Sequence, residues 1–285
     1  MPYLILVSII WGFSFVIIKG TLASLDANFV SCARLLLSLC AFLPLIRLAG
    51  ISFTEKLQLL FIGGIQFGFM YVAYVAAYRY LPAHIIALMT TTTPLFVAIF
   101  HGIWEKKIPK TFIIAALLAV AGGAVLELPD QSLTASLHGI LLLQLSNAAF
   151  AFGQIAYKRW MASRPALRDA HVFGFMYCGA VLIAGAFSLA TTNYRTLHLE
   201  SHQVLALLYL GIIASGICFF LWNAGARKVR EGTLAVMNNL KIPIAVIASL
   251  FILKETTDYL RLLIGCVLFA AALWVNSRDG RPRAI

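Results

Sequence analysis

Acidic side chains are scarce: Asp and Glu number 11 in 285 residues, and charged residues of both signs make up only 12%. Soluble domains carry about 25% charge. A soluble chain of this size could not cover its apolar surface with so few charges. No Asp or Glu lies well inside any apolar run, so no intramembrane carboxylate offers itself for exchanging a proton against a lipophilic cation. Anionic or zwitterionic solutes are favoured over cationic drugs. No P-loop occurs, which argues against ATP coupling. No HExxH occurs either, and His84, His101, His138, His171, His198 and His202 are scattered near span ends or loops. With no paired intramembrane carboxylates, an enzyme has little to act with. Cys32, Cys40, Cys178, Cys218 and Cys266 form no CxxC pair. They read as small buried apolar residues, without a disulfide framework or metal site. No cofactor is expected.

What fills the chain is apolar: 61% of residues, with a mean hydropathy of +0.91. A membrane-crossing helix needs about 20 mainly apolar residues. Ten such runs read from the sequence, near 2–19, 28–48, 57–80, 83–104, 111–127, 138–157, 170–190, 203–226, 232–253 and 260–277. Backbone polar groups cannot stay bare in lipid, so each run is expected to be a helix. The first run has no charged segment or small-residue cleavage site before Trp11, and reads as helix one rather than a cleaved signal peptide.

The net charge of +11 belongs to short loops, which suits a topology signal rather than nucleic-acid binding. With the N-terminus in the cytoplasm, 15 Lys and Arg fall inside and 5 outside, with Arg34 and Lys241 left within spans. A missed helix would scramble that asymmetry, so ten helices with both termini cytoplasmic are expected.

The chain also repeats itself. At an offset of 148, Leu60, Gly63, Ile65, Gly68, Ala76, Arg79, Ala87 and Met89 meet Leu208, Gly211, Ile213, Gly216, Ala224, Arg227, Ala235 and Met237. One residue further, Pro94 meets Pro243. The expected architecture is all-α integral membrane: ten transmembrane helices as two inverted five-helix repeats, 1–127 and 138–278, with 279–285 a cytoplasmic tail. An odd number of helices per copy inverts the second copy.

The start WGFSFVIIK (11–19), Arg34 in SCARLLLS, the stretch YRYLPAHIIALMTTTTPLFVAIFHGIWEKK (78–107) and its echo NAGARKVREGTLAVMNNLKIPIAVIASLFILKE (223–255) resemble the EamA family of the drug/metabolite transporter superfamily. The likeness covers essentially the whole chain. It implies ten helices around a central cavity lined by helices one, three, four, six, eight and nine, with five and ten peripheral. It also implies export of amino acids and other small metabolites, or exchange of nucleotides and related cofactors. The sequence departs from internal symmetry where Phe150 faces Trp11 and Asn-Asn-Leu-Lys (238–241) faces the Thr run, so the two halves of the cavity should differ chemically.

Lys241 is the sharpest candidate. A mid-bilayer charge costs about 2.5–3.5 kcal/mol on insertion scales, which points to an anion-binding group facing the cavity. The alternative is a lysine snorkelling along its stem or bonded to carbonyls freed by Pro243. Asn238 shares its helix face. Thr90 to Thr93 precede Pro94, either repairing the helix or opening a discontinuity at the site. Gln144, Asn147, Gln154 and Lys158 form a polar stripe on helix six, read as cavity lining or interhelical bonding. The substrate-binding candidates are thus Trp11, Phe15, Gln66, Tyr74, Thr92, Thr93, Asn147, Gln154, Trp222, Asn238 and Lys241, with Pro94 and Pro243 as hinges. Arg34 reads as structural, and Glu105 and Glu255 as interfacial pairs.

The expected function is a secondary carrier in a bacterial-type inner (plasma) membrane. It would export amino acids or related zwitterionic or anionic solutes by alternating access. A nucleotide or nucleotide-derived cofactor exchanger is the alternative, and a membrane-embedded enzyme a remote third. The expected partners are a small-molecule substrate and the lipid bilayer, with no nucleic acid and with a homodimer left open.

Overall fold

The computed structural model describes residues 1–22, 24–47, 49–77, 79–81, 86, 89–108, 110–127, 137–248 and 258–277. These residues are all-helical, in ten segments. They are α1 (Pro2–Ile17, running into a wider π turn at Ile18–Leu22), α2 (Ala27–Leu45), α3 (Phe53–Ala77), α4 (Thr93–Glu105) and α5 (Lys110–Glu127). Then follow α6 (Leu137–Ala162), α7 (Asp169–Thr191), α8 (Ser201–Ala226), α9 (Glu231–Ala248) and α10 (Tyr259–Ser277). Six of them, α2, α3, α6, α7, α8 and α10, are long and apolar enough to cross a bilayer by length and composition. Most of the expected start of span four, the end of span nine with Glu255, and the tail 279–285 lie outside the described residues.

Helix starts are written in the local chemistry. Asp26 accepts the Phe29 amide at the N-terminus of α2. Ser52 and Glu55 close a reciprocal capping box on α3, and Glu200 and Gln203 do so on α8. Such caps hold amide groups that have no partner within the helix.

The outer surface is apolar. Leu182, Leu189, Leu205, Leu260, Leu263 and Ile103 are each more than 60% exposed. Water would not tolerate that belt, but acyl chains would. The protein is a multi-pass membrane protein. Cys40 and Cys266 also face outward, so the expectation of five buried cysteines is corrected: only Cys218 is buried, while Cys32 and Cys178 are half-buried. They sit on lipid-facing sides of α2 and α10, a placement that span membership alone does not reveal.

Inside, α2 packs on α7 and α8, α3 on α6 and α7, and α1 on α8 and α9. Helix α4 packs on α6, α9 and α5, while α5 and α10 pair at one flank beside α9. The tightest crossing is α3 on α7. A Cβ added to Gly63 would overlap the Met176 carbonyl, and one added to Gly179 would overlap the Leu60 carbonyl.

One end of the bundle is held by ion pairs. Lys158 on α6 reaches Glu231 on α9 at 2.8 Å and the Val229 carbonyl at 2.7 Å. Arg159 pairs with Glu105, Arg164 with Glu55, and Arg227 with Asp169, which also accepts from Tyr157. We expect Lys158→Met to cost about 1–3 kcal/mol, because it strands a partly buried carboxylate. The double variant Lys158→Met/Glu231→Gln should recover most of that loss. Thermal unfolding of the detergent-solubilised protein measures both.

Candidate functional site

Two helices are locally distorted, and the distortions build the site. Helix α3 widens to π geometry at Gly64–Phe69 and α8 at Tyr209–Ile217. A π segment leaves carbonyls off the regular ladder, where side chains must reach them. Trp11 Nε1 donates to the Ala214 carbonyl at 2.7 Å and Ser38 to the Gly211 carbonyl at 2.7 Å. The Tyr177 hydroxyl lies 2.9 Å and 2.6 Å from the carbonyls of Ser215 and Gly216. The bulge in α8 therefore anchors the Trp11 indole.

The threonine run breaks α4. Pro94 lies in the first turn of a helix that begins at Thr93. Upstream carbonyls are taken by side chains: Met89 by Thr92 and by Asn147 of α6, both at 2.8 Å, Thr90 by Thr93 at 2.7 Å, and Thr91 by Asn239 of α9 at 2.8 Å. Pro243, by contrast, sits inside a continuous α9.

Between these features lies a cavity of about 160 Å³. Trp11, Phe150 and Phe219 form its aromatic wall, with ring centroids 5.4–6.3 Å apart. Met70, Tyr71, Tyr74, Ser14, Ile18, Thr90, Thr93, Ser146 and Asn147 are the other described lining residues, together with the cations Lys241 and Arg34. Lys241 is half-buried, its ammonium 5.6 Å from the Trp11 ring centroid. Arg34 is buried, donating from Nε to Ser215 Oγ at 3.1 Å, with its guanidinium 5.2 Å from the Tyr71 ring. No Asp or Glu is among the described lining residues. Cations beside aromatic faces, with no carboxylate among the described lining residues, suit an incoming anion. The lining draws on the halves of α1, α2, α3, α4 and α6 that lie away from the ion-paired end, so the cavity is displaced toward the opposite end.

Of the residues singled out by sequence, Trp11, Tyr74, Thr93, Asn147 and Lys241 meet in this cavity. Gln154 and Asn238 lie outside the lining, with their amides exchanging hydrogen bonds at 3.1 and 3.2 Å across α6 and α9. Gln66 donates to Asn223 at 3.2 Å, Thr92 donates to Gln144 at 2.7 Å, and Trp222 packs behind Trp11 at 5.0 Å between centroids. The Phe15 side chain lies outside the described residues. Arg34, read as structural from sequence, lines the cavity. Ser14 and Ser146 were missed, although Ser14 follows Trp11 and Ser146 precedes Phe150 at helical spacing.

An apolar bundle enclosing an aromatic-walled, cationic cavity fits a membrane carrier of small molecules. The EamA-like transporter family profile matches residues 1–127 and again 137–277, and the chain belongs to that family, within the drug/metabolite transporter superfamily. It is a small-molecule transporter of the drug/metabolite type. The chain is 37% identical over 283 residues to the "Probable biotin transporter" of Pseudomonas aeruginosa, covering 99% of this chain and 98% of that one. It is 34% identical over 286 residues to the "Biotin transporter" of Escherichia coli (strain K12), covering 100% and 95%. It is 25% identical over 298 residues to the "Probable amino-acid metabolite efflux pump" of Salmonella typhimurium, covering 98% and 95%. A crystal structure at 15% identity superposes with TM-score 0.77 over 95% of this chain and 94% of the other, a likeness of fold. The bacterial relatives are consistent with an inner-membrane location.

Proposed function

We propose that the protein carries biotin, or a closely related monocarboxylate, across the membrane by alternating access. The observation that carries this reading is the aromatic cavity with Lys241 and Arg34 in its lining and no carboxylate among its described lining residues. A monocarboxylate with a flat apolar ring system matches a cation beside aromatic walls. Relatives of 34–37% identity over nearly the whole chain bear the name biotin transporter, which supports the choice among monocarboxylates.

The carrier would be two inverted repeats, 1–127 and 138–278, with both termini cytoplasmic. Exchanging α1–α5 for α6–α10 maps the α1–α8 packing onto α6–α3, α2–α8 onto α7–α3 and α1–α9 onto α6–α4. The pairs α2–α7, α4–α9 and α5–α10 map onto themselves. The π segments of α3 and α8 overlap at the same offset of 148 seen in the sequence. The ion-paired end would be the cytoplasmic one, because it gathers Lys158, Arg159, Arg164 and Arg227. Pro94 and Pro243 would sit at the moving parts.

Export of amino-acid metabolites is the second reading, favoured by the relative at 25% identity. Counterflow in proteoliposomes separates the two. Labelled biotin should accumulate against a biotin-loaded interior in a saturable way, and a tenfold excess of mixed amino acids should leave that flux unchanged. Flux of amino acids without biotin flux would reverse the assignment, and flux of nucleotides alone would replace it with a nucleotide exchanger.

A further inference from the structure

Three buried side-chain atoms lack a hydrogen-bond partner among the described residues: Gln66 Oε1, Trp222 Nε1 and Asn239 Oδ1. Two of the three lie along one seam, where α3 packs near α8. Gln66 is 0% and Trp222 1% exposed. Gln66 lies one turn from Met70 and Trp222 one turn from Phe219, both cavity-lining residues. Trp222 stacks behind the aromatic wall, 5.0 Å from the Trp11 centroid and 6.5 Å from that of Phe150. Both therefore sit immediately beneath the cavity, on its ion-paired side.

The seam is also oriented. Gln66 Nε2 donates to Asn223 Oδ1 at 3.2 Å, and Asn223 Nδ2 donates to the Phe219 carbonyl at 3.0 Å. The donor side of the Gln66 amide is thus engaged and its acceptor oxygen is left over. Trp222 can only donate. An idle acceptor and an idle donor on one buried seam are each costly, and native proteins rarely keep such groups without a use.

We propose that Gln66 and Trp222 form the head-group end of the substrate site, taking a cyclic urea or amide that presents N–H beside C=O. Gln66 Oε1 accepts from the ligand N–H and Trp222 Nε1 donates to the ligand carbonyl, while Lys241 holds the carboxylate. The Trp11 ring centroid is 5.6 Å from the Lys241 ammonium and 5.0 Å from the Trp222 ring, which puts Lys241 and Trp222 within a small-molecule length of each other. The head group reaches this layer when the aromatic wall parts. The inference rests on the biotin reading and refines it, since biotin carries a cyclic urea at one end and a carboxylate at the other.

The test is competition against labelled biotin counterflow in proteoliposomes. One competitor is desthiobiotin, which keeps the cyclic urea and the carboxylate chain. The other is lipoate, which has a carboxylate chain and a sulfur ring but no urea. The variants are Trp222→Phe, which keeps the ring bulk and loses the N–H, and Gln66→Leu. Wild-type protein should prefer desthiobiotin to lipoate. Each variant should shrink that preference about five- to tenfold, as expected for one lost hydrogen bond, while lipoate inhibition stays as in wild type. An unchanged preference in both variants, or equal weakening of both competitors, would overturn the inference and leave the biotin reading standing. Absence of biotin counterflow in wild-type protein would overturn the biotin reading and the inference with it.

Discussion

Lys241→Met should lower biotin counterflow, measured as kcat/KM, by about ten- to a hundredfold, while the protein folds at least as well as wild type. The physical case has two sides. A charge-assisted contact to a carboxylate contributes about 1.5–3 kcal/mol, which is that range of fold-change. Among the described residues no ion-pair partner faces the same ammonium, and the interaction found for it is with the Trp11 ring at 5.6 Å. A cation held near mid-membrane is costly to the fold, so methionine in its place should raise the unfolding temperature or leave it unchanged. Lys241→Arg, which keeps the charge with a bulkier head, should fall between the two. Wild-type flux in Lys241→Met would remove Lys241 from the site. Loss of flux together with loss of folded protein would assign it a structural role.

Gly179→Val should abolish the folded protein, whereas Gly185→Ala on the same helix should be nearly silent. At Gly179 an added Cβ meets the Leu60 carbonyl, which is backbone and cannot swing aside. Gly63 presents the reciprocal problem against Met176, so α3 and α7 have no slack to share. Small residues permit such close approach of membrane helices, and over-packing here falls at or beyond the upper end of the usual 1–3 kcal/mol. At Gly185 the nearest atom is Cys32 Sγ at 3.9 Å, an ordinary contact, and alanine is the better helix former. Size-exclusion profiles and thermal unfolding of purified variants in detergent read both outcomes. A well-folded Gly179→Val protein would mean that α3 and α7 can separate without loss of the bundle.

Much of the molecule was legible in the chain itself. The ten apolar runs correspond to ten helical segments among the described residues, because a run of that length in lipid has only the helix open to it. The spacing of the polar stripe on α6 left two readings, cavity lining or interhelical bonding. What the stripe does was not legible: Asn147 lines the cavity, whereas Gln144, Gln154 and Lys158 bond to α4, to α9 and to Glu231. Sequence spacing places a side chain on a helix face, and only the neighbouring helix decides whether that face meets a partner or a space. Arg34 illustrates the limit most clearly. A lone arginine in a span reads as structural until the π-widened stretch of α8 brings Ser215 to it and the rings of Tyr71 and Phe219 shape a cavity around it. Composition and periodicity determined the membrane, the helices and the scarcity of carboxylates. The cavity, the placing of Lys241 and Arg34 in it and the glycine-tight crossing of α3 on α7 were decided by tertiary contacts between residues tens to hundreds of positions apart, which no local pattern encodes.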